Sequence, residues 1–132
     1  MHIDYHFTKK PTAVQLIELY ENAGLQRPTT DQARMQQMID HANLFVTAWD
    51  GDILVGAARS ITDWAFACYL SDLAVRHEYK KKGIGKKLIE LTKDKVGKQS
   101  MVLLLSVESA LDYYPKVGFT KQESSFIIKR EE

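Results

Sequence analysis

The stretch VRHEYKKKGIGKKL, residues 75–88, decides the fold of this 132-residue chain. An apolar run precedes it and apolar residues at helical spacing follow it, so it joins a predicted strand to a predicted helix. Gly83 and Gly85 flank the first helical residue and let the backbone approach a bulky anion closely. The free amides of a helix N-terminus attract anions. The same stretch carries Lys80, Lys81, Lys82, Lys86 and Lys87. We therefore predict that this loop binds phosphate.

Two common phosphate-binding motifs do not fit this loop. A P-loop requires a glycine, four residues and then Gly-Lys-Ser/Thr, which is not found here. The dinucleotide fingerprint requires a third glycine at the position of Leu88. What remains is a pyrophosphate loop that depends on two glycines.

The loop resembles the acetyl-CoA motif of the GNAT superfamily of N-acetyltransferases, Gln/Arg-x-x-Gly-x-Gly/Ala after a strand that ends in Leu-x-Val. The chain has KKKGIG at residues 80–85, and Leu73-Ala74-Val75 precedes it. Lys80 departs from the family pattern, because it keeps the positive charge but lacks the planar fork of arginine.

A second motif supports the same resemblance. The family commonly carries Ala-x-x-aromatic-Tyr-x-x-x-Gly-Phe after the next strand, and residues 110–119 read ALDYYPKVGF. The family often has asparagine where Val107 stands, and Ser106 or Ser109 are candidates to replace its polar contact. Pro115 is unusual after Tyr114 and predicts that the helix ends there.

The order of elements extends the resemblance over nearly the whole chain. Hydrophobic periodicity and turn signals predict the order β-α-α-β-β-β-α-β-α-β. The last predicted elements are a buried strand over 101–107, a short helix over 108–114 and strand-like residues 118–129. The fold class is α/β and GNAT-like (acyl-CoA N-acyltransferase), with a mixed, mostly antiparallel sheet flanked by helices. We expect one domain over residues 1–132.

Composition excludes several classes of protein. The chain is 45% hydrophobic and 27% charged, as globular proteins are. It has neither an apolar run long enough to span a membrane nor a signal-peptide pattern. Cys68 is the only cysteine, so no internal disulfide can form, and we expect a cytoplasmic protein that does not bind membranes.

Charge is distributed unevenly although the net charge is only +1. Residues 76–98 hold 9 Lys and Arg against 3 Asp and Glu, whereas residues 1–75 are acidic. The basic segment lacks any signature of nucleic-acid binding, so we expect it to hold a small anion. In the acidic part, Asp31, Asp63 and Asp72 are candidates to attract a cationic amine.

The resemblance implies acetyl transfer from acetyl-CoA to a primary amine of a small molecule or a protein, by direct attack in a ternary complex. It implies a general-acid role for Tyr114, which would protonate the thiolate leaving group. It also implies a set of residues that bind acetyl-CoA. These are Leu73, Ala74, Val75, Lys80, Lys81, Lys82, Gly83, Ile84, Gly85, Lys86, Ser109 and Tyr114.

The base that deprotonates the amine is less well defined by the sequence. The resemblance implies that base candidates on this strand share the parity of Leu73, which selects Tyr69 and Ser71, and neither is a good base near neutral pH. Asp72 has the opposite parity, so it is either a base redirected by a bulge or a buried structural residue. Proton loss to ordered water, without a dedicated base, is a third possibility.

Other functional classes stay open or are excluded by the residues. No Cys and His cluster has the spacing of metal ligands, so we expect no metal. The alternative to an enzyme is a non-catalytic acyl-CoA-binding module or sensor, which would not need an acid at Tyr114. The resemblance also allows a homodimer that uses the late segment around Phe126, Ile127 and Ile128.

Overall fold

A tight hairpin lies at the centre of the sheet, because Gly51 adopts a φ of 59° between two β-branched and aromatic segments. The computed structural model describes residues 2–132 and has, within them, one five-stranded sheet in the order β1-β2-β3-β4-β5. The strands are β1 (Asp4–His6), β2 (Leu44–Asp50), β3 (Ile53–Thr62), β4 (Ala67–Val75) and β5 (Met101–Leu103). Strands β1 to β4 are antiparallel, and β5 runs parallel to β4. The predicted α/β architecture, a mostly antiparallel sheet flanked by helices, is confirmed.

Three helices cover the two faces of the sheet. They are α1 (Ala13–Ala23), α2 (Gln32–His41) and α3 (Ile84–Val96). Helices α1 and α2 pack on one face, where Tyr20 and Met35 are fully buried against Phe45. Helix α3 packs on the other face through Leu88. None of these helices has the length and apolar character needed to cross a bilayer, as far as the described residues extend.

A β-bulge interrupts the pairing of β3 with β4. Arg59 pairs with Asp72 and Ser60 pairs with Leu70, so Ser71 has no partner residue in β3. An extra residue in one strand reverses the face on which the following side chains lie. Before the bulge, Leu70 packs with the α3 cluster; after it, Asp72 points towards α1. The bulge therefore moves the one carboxylate of β4 to the face covered by α1 and α2.

The last third of the chain differs from the sequence prediction. Strand β5 has three residues, not seven, and Met101 is 53% exposed on this edge strand. Residues 108–114 form no α-helix; two short 3-10 helices cover Glu108–Ala110 and Tyr114–Val117. Pro115 explains part of this difference, because it has no N–H to bond to the carbonyl of Leu111.

The strand predicted over residues 118–129 is also absent. Those residues are turns and irregular structure, and Phe126 is 96% exposed. Alternating apolar residues predict a strand only where a neighbouring strand and a core face are provided. In this segment the run Phe126-Ile127-Ile128 has neither.

Candidate active site

A cavity of about 1380 Å³ opens where β4 and β5 separate. The two strands pair only between Ala67–Tyr69 and Met101–Leu103, so the rest of β4 has no neighbouring strand on that side. The cavity is lined by Leu73, Ala74 and Val75 on β4 and by residues 104–107 on the opposite wall. It exceeds the 300–1000 Å³ that is usual for small-ligand clefts, which suits a long ligand.

The N-terminus of α3 lies at this cavity and is not capped by a side chain. Gly83 is the N-cap residue with a φ of 83°, and the first helical bond runs from the Lys87 amide to the Gly83 carbonyl. By contrast, Thr12 caps α1 and Asp31 caps α2 through their side chains. The first-turn amides of α3 are therefore available for an anionic ligand.

The lysines around this helix end are available as well. Lys80, Lys81 and Lys86 line the cavity, whereas Lys82 does not. Within residues 2–132, none of the five lysines of the loop forms an ion pair. Gly83, Ile84 and Gly85 also line the cavity. The structure thus groups the predicted loop residues, apart from Lys82 and Lys87, around one anion-attracting wall.

The loop before α3 is held in place by contacts that the sequence did not indicate. The Tyr79 hydroxyl donates to Asp50 at 2.6 Å, and the His77 amide donates to the Asn22 side chain at 2.7 Å. The guanidinium of Arg76 bridges the Leu54 carbonyl and Glu18. These partners are 22 to 58 positions away, so no local pattern could have identified them.

Tyr114 lies on the same cavity, in an apolar setting. Its ring packs edge-on against Tyr113 and Phe119, with ring centroids 5.3 and 5.6 Å away. Burial, with a smaller contribution from Tyr113, raises the pKa of Tyr114 above its ordinary value. Its hydroxyl makes no hydrogen bond to any residue of 2–132. Tyr114 is therefore protonated near neutral pH and has a hydroxyl group free to donate. Ser109 also lines the cavity.

Asp72 is enclosed behind the cavity wall, fully buried. It accepts hydrogen bonds from Tyr20 at 2.7 Å, from Arg27 Nε at 2.6 Å and from Arg59 Nε at 2.5 Å. Burial raises the pKa of this carboxyl group, but the hydrogen bond and charge of Arg59, the charge of Arg27 and the Tyr20 hydroxyl outweigh it, so the pKa is lowered. Of the two roles that the sequence left open for Asp72, these contacts correspond to the structural one.

Comparison with known proteins identifies the family. The model of the Acetyltransferase (GNAT) domain matches residues 12–129. The chain belongs to the GNAT acetyltransferase family. A sequence search of curated proteins finds no significant match.

Solved structures share the GNAT fold. A probable acetyltransferase from meticillin-resistant Staphylococcus aureus is 24% identical with a TM-score of 0.84, and the match covers 98% of this chain and 100% of that one. A GNAT-family acetyltransferase from Streptococcus pneumoniae is 23% identical with a TM-score of 0.78, covering 99% and 100%. Glucosamine-6-phosphate N-acetyltransferase from Arabidopsis thaliana is 14% identical with a TM-score of 0.73, covering 100% of both chains.

The aspartates predicted to attract a cationic amine do not come together in this GNAT domain. Asp31 caps α2 and Asp63 accepts three amides of its own loop, which lowers the pKa of Asp63 to about 2. Neither lines the cavity, and nor does Asp72, so the expected attraction for a cationic amine has no carboxylate from this set to provide it. Within residues 2–132, no three His, Cys, Asp or Glu side chains are grouped as a metal site would require.

Proposed function

We propose that this GNAT domain transfers the acetyl group of acetyl-CoA to a primary amine of a small molecule or a protein. One observation carries the proposal: the uncapped N-terminus of α3 and the free hydroxyl of Tyr114 open onto a single cavity between the separated strands. The amine attacks the thioester directly in a ternary complex. Cys68 is buried and away from the cavity, so an acyl-enzyme is not part of the proposal.

The loop and the helix end bind the cosubstrate. Amides from Lys81 to Gly85 hold the pyrophosphate, and the side chains of Lys80 and Lys86, which line the cavity, supply charge. The open edge of β4 at Leu73, Ala74 and Val75 offers backbone groups to the pantetheine arm, as an added strand would. Ser109 lies on the opposite wall and supplies a hydroxyl to the same arm.

Proton transfers are assigned from the contacts of each side chain. Tyr114 donates its proton to the sulfur as the thiolate leaves, because its raised pKa keeps it protonated. Asp72 is given no proton to carry, since two guanidinium groups already occupy its oxygens. The amine therefore loses its proton to water in the cavity. We place the protein in the cytoplasm, where its single cysteine needs no partner.

The direct test is release of free CoA. We expect thiol release to require both acetyl-CoA and a suitable primary amine. The acetylated amine, measured by mass spectrometry, should form in an amount equal to the thiol. Thiol release that never exceeds the background hydrolysis across a broad amine panel would contradict the proposal. The alternative, an acyl-CoA-binding module, would bind acetyl-CoA without any turnover.

Gly83→Ala is predicted to weaken acetyl-CoA binding through the backbone. The φ of 83° at this N-cap is strained for alanine, at a cost of about 1–2 kcal/mol. Relief of that strain would move the amides of α3 away from the pyrophosphate. We expect the KM for acetyl-CoA to rise about fivefold, equivalent to about 1 kcal/mol.

Gly51→Ala is the matched control for this prediction. Gly51 also has a positive φ, 59°, and a Cβ there would meet no atom within 4 Å, as at Gly83. It lies in the β2–β3 turn and does not line the cavity. Both variants should unfold at lower denaturant concentration, but only Gly83→Ala should change the KM. An equal rise in KM for Gly51→Ala would mean that lost stability, and not displacement of the α3 amides, explains the effect.

A further inference from the structure

Four arginines line the cavity: three from the first half of the chain, and Arg130. Arg27 follows α1, Arg34 lies in α2 and Arg59 lies in β3, and all three line the cavity. Arg59 pairs with Asp72, which lies three residues before Val75 on β4, or about 10 Å along the strand. This group, the arginine wall, is therefore separate from the α3 N-terminus but faces the same space.

The arginine wall carries more positive charge than its protein partners neutralise. Asp72 is its only buried carboxylate within residues 2–132, and it contacts both Arg27 and Arg59. One negative charge therefore faces two guanidinium groups. The Arg27 side chain is 22% exposed, so water screens part of the surplus charge, and an anionic ligand would compensate the rest. Glu132 is the only acidic residue described as lining the cavity.

Arg59 shows where the compensating anion would lie. Its side chain is only 9% exposed. Its Nε donates to Asp72 and its Nη2 donates to Ser71 at 2.9 Å, whereas no hydrogen bond is formed by its Nη1 within residues 2–132. Nη1 is not among the enclosed atoms that lack a partner, so it is open to the cavity. Because Arg59 lines the cavity, this unused donor is available to a ligand there. A largely buried guanidinium with one donor open to the cavity fits a planar or tetrahedral oxyanion.

Arg34 shows that an oxygen acceptor can reach this wall. Its Nη2 donates to the main-chain oxygen of Glu132 at 3.2 Å, and its side chain is half-buried. Arg34 makes no ion pair within residues 2–132. Unlike Arg27 and Arg59, it does not hold Asp72, so it can be replaced without leaving a buried carboxylate unpaired.

We infer that the acceptor amine carries an anionic group, a carboxylate or a phosphate, and that the arginine wall of Arg27, Arg34 and Arg59 binds it. This inference rests on the proposed acetyl transfer and names the class of its acceptor. Acetyl-CoA phosphates belong to the α3 end, so the arginine wall recognises the second substrate. Polycationic amines are poor acceptors, because the same wall repels them.

The test compares amines that differ only in the anionic group. One pair is 2-aminoethyl phosphate and ethanolamine; the other is 4-aminobutanoate and its carboxamide. Each is assayed for thiol release at saturating acetyl-CoA, and its binding to the CoA-saturated protein is measured by calorimetry. We expect the anionic member of at least one pair to bind at least tenfold more tightly and to be acetylated preferentially.

Arg34→Gln then tests the residue itself, with Lys98→Gln as the control. Lys98 is exposed, lies outside the cavity and loses the same charge. Arg34→Gln should raise the KM and the dissociation constant of the anionic amine about tenfold, in line with one charge-assisted hydrogen bond. It should leave kcat, the KM for acetyl-CoA and the KM for the neutral amine unchanged. Lys98→Gln should change none of these values.

The outcomes separate this inference from the proposed function. Turnover that is equal for both members of each pair, or better with a polycation, overturns the anionic acceptor and leaves acetyl transfer intact. Binding of the anionic amine that depends on Arg34, without turnover, supports the arginine wall and overturns acetyl transfer. Failure of both anionic amines to bind overturns the inference. A loss of affinity in Arg34→Gln that is equal for the anionic and the neutral amine of a pair also overturns the inference.

Discussion

Replacing Asp72 with asparagine is expected to lower the free energy of unfolding by about 3 kcal/mol. The carboxylate is fully buried and holds the Arg59 and Arg27 guanidinium groups at 2.5 and 2.6 Å. Breaking a buried ion pair by removing one partner leaves an uncompensated charge, which typically costs 3–5 kcal/mol. Asparagine keeps the shape and can still accept the Tyr20 hydroxyl. Urea denaturation measures the loss directly.

Asp31→Asn is the matched control for Asp72→Asn. Asp31 caps α2 by accepting the Arg34 amide at 3.0 Å, and it is exposed. Asparagine caps helices about as well as aspartate, so this variant should change stability by only a few tenths of a kcal/mol. Equal losses in the two variants would contradict the assignment of Asp72 as the charge that compensates Arg27 and Arg59.

The pH dependence of the same pair has a defined sign. The pKa of Asp72 is lowered in the folded state, so its ionised form stabilises the fold. That contribution is present above the ordinary pKa, about 3.9, and is lost as the pH falls through the lower folded value. The stability difference between the wild type and Asp72→Asn should therefore narrow below about pH 4. A difference that stays constant down to pH 2 would contradict the lowered pKa.

Local sequence patterns predicted the elements whose determinants lie close together in the chain. The predicted order of elements holds from β1 to β5, and the helix ends depend on single residues: Gly24 ends α1 with a φ of 76°, Asp31 caps α2 and Gly97 follows α3. The two family motifs likewise predicted the cavity wall, since Val75, Gly83 and Tyr114 all line it. These predictions succeed because a cap, a turn or a strand–loop–helix motif depends on neighbouring residues.

Contacts between residues that are distant in the chain could not be predicted from local patterns. The roles of Arg27 and Arg59 depend on Asp72, which is 45 and 13 positions away, and on the bulge at Ser71 that turns Asp72 towards them. A bulge depends on the pairing of two strands, which one strand's alternation does not reveal. The strand predicted over residues 118–129 is absent for a related reason, because a segment with strand propensity forms a strand only beside a neighbouring strand.

Tyr114→Phe is expected to lower kcat about 100-fold or more, with little change in acetyl-CoA binding. Phenylalanine keeps the ring contacts with Tyr113 and Phe119 but cannot protonate the leaving thiolate. General acids contribute about 10²–10⁴-fold to enzymatic rates. Steady-state thiol release gives kcat, and calorimetry with CoA gives the binding constant. An acyl-CoA-binding module would show no turnover in either form of the protein.

Tyr113→Phe is the matched comparison, because it removes a neighbouring hydroxyl from the same cavity. The Tyr113 hydroxyl lies near Gly85, where a built Cβ would be 3.0 Å from its oxygen. It therefore lies beside the N-terminus of α3, and we do not assign it to the sulfur of the leaving thiolate. We expect a much smaller loss of kcat for Tyr113→Phe than for Tyr114→Phe.

The wild type should also lose activity at alkaline pH only above the ordinary tyrosine pKa, because burial raises the pKa of Tyr114. Tyr114→Phe should lack that alkaline decline, and its persistence, or equal losses in both variants, would assign the acid elsewhere.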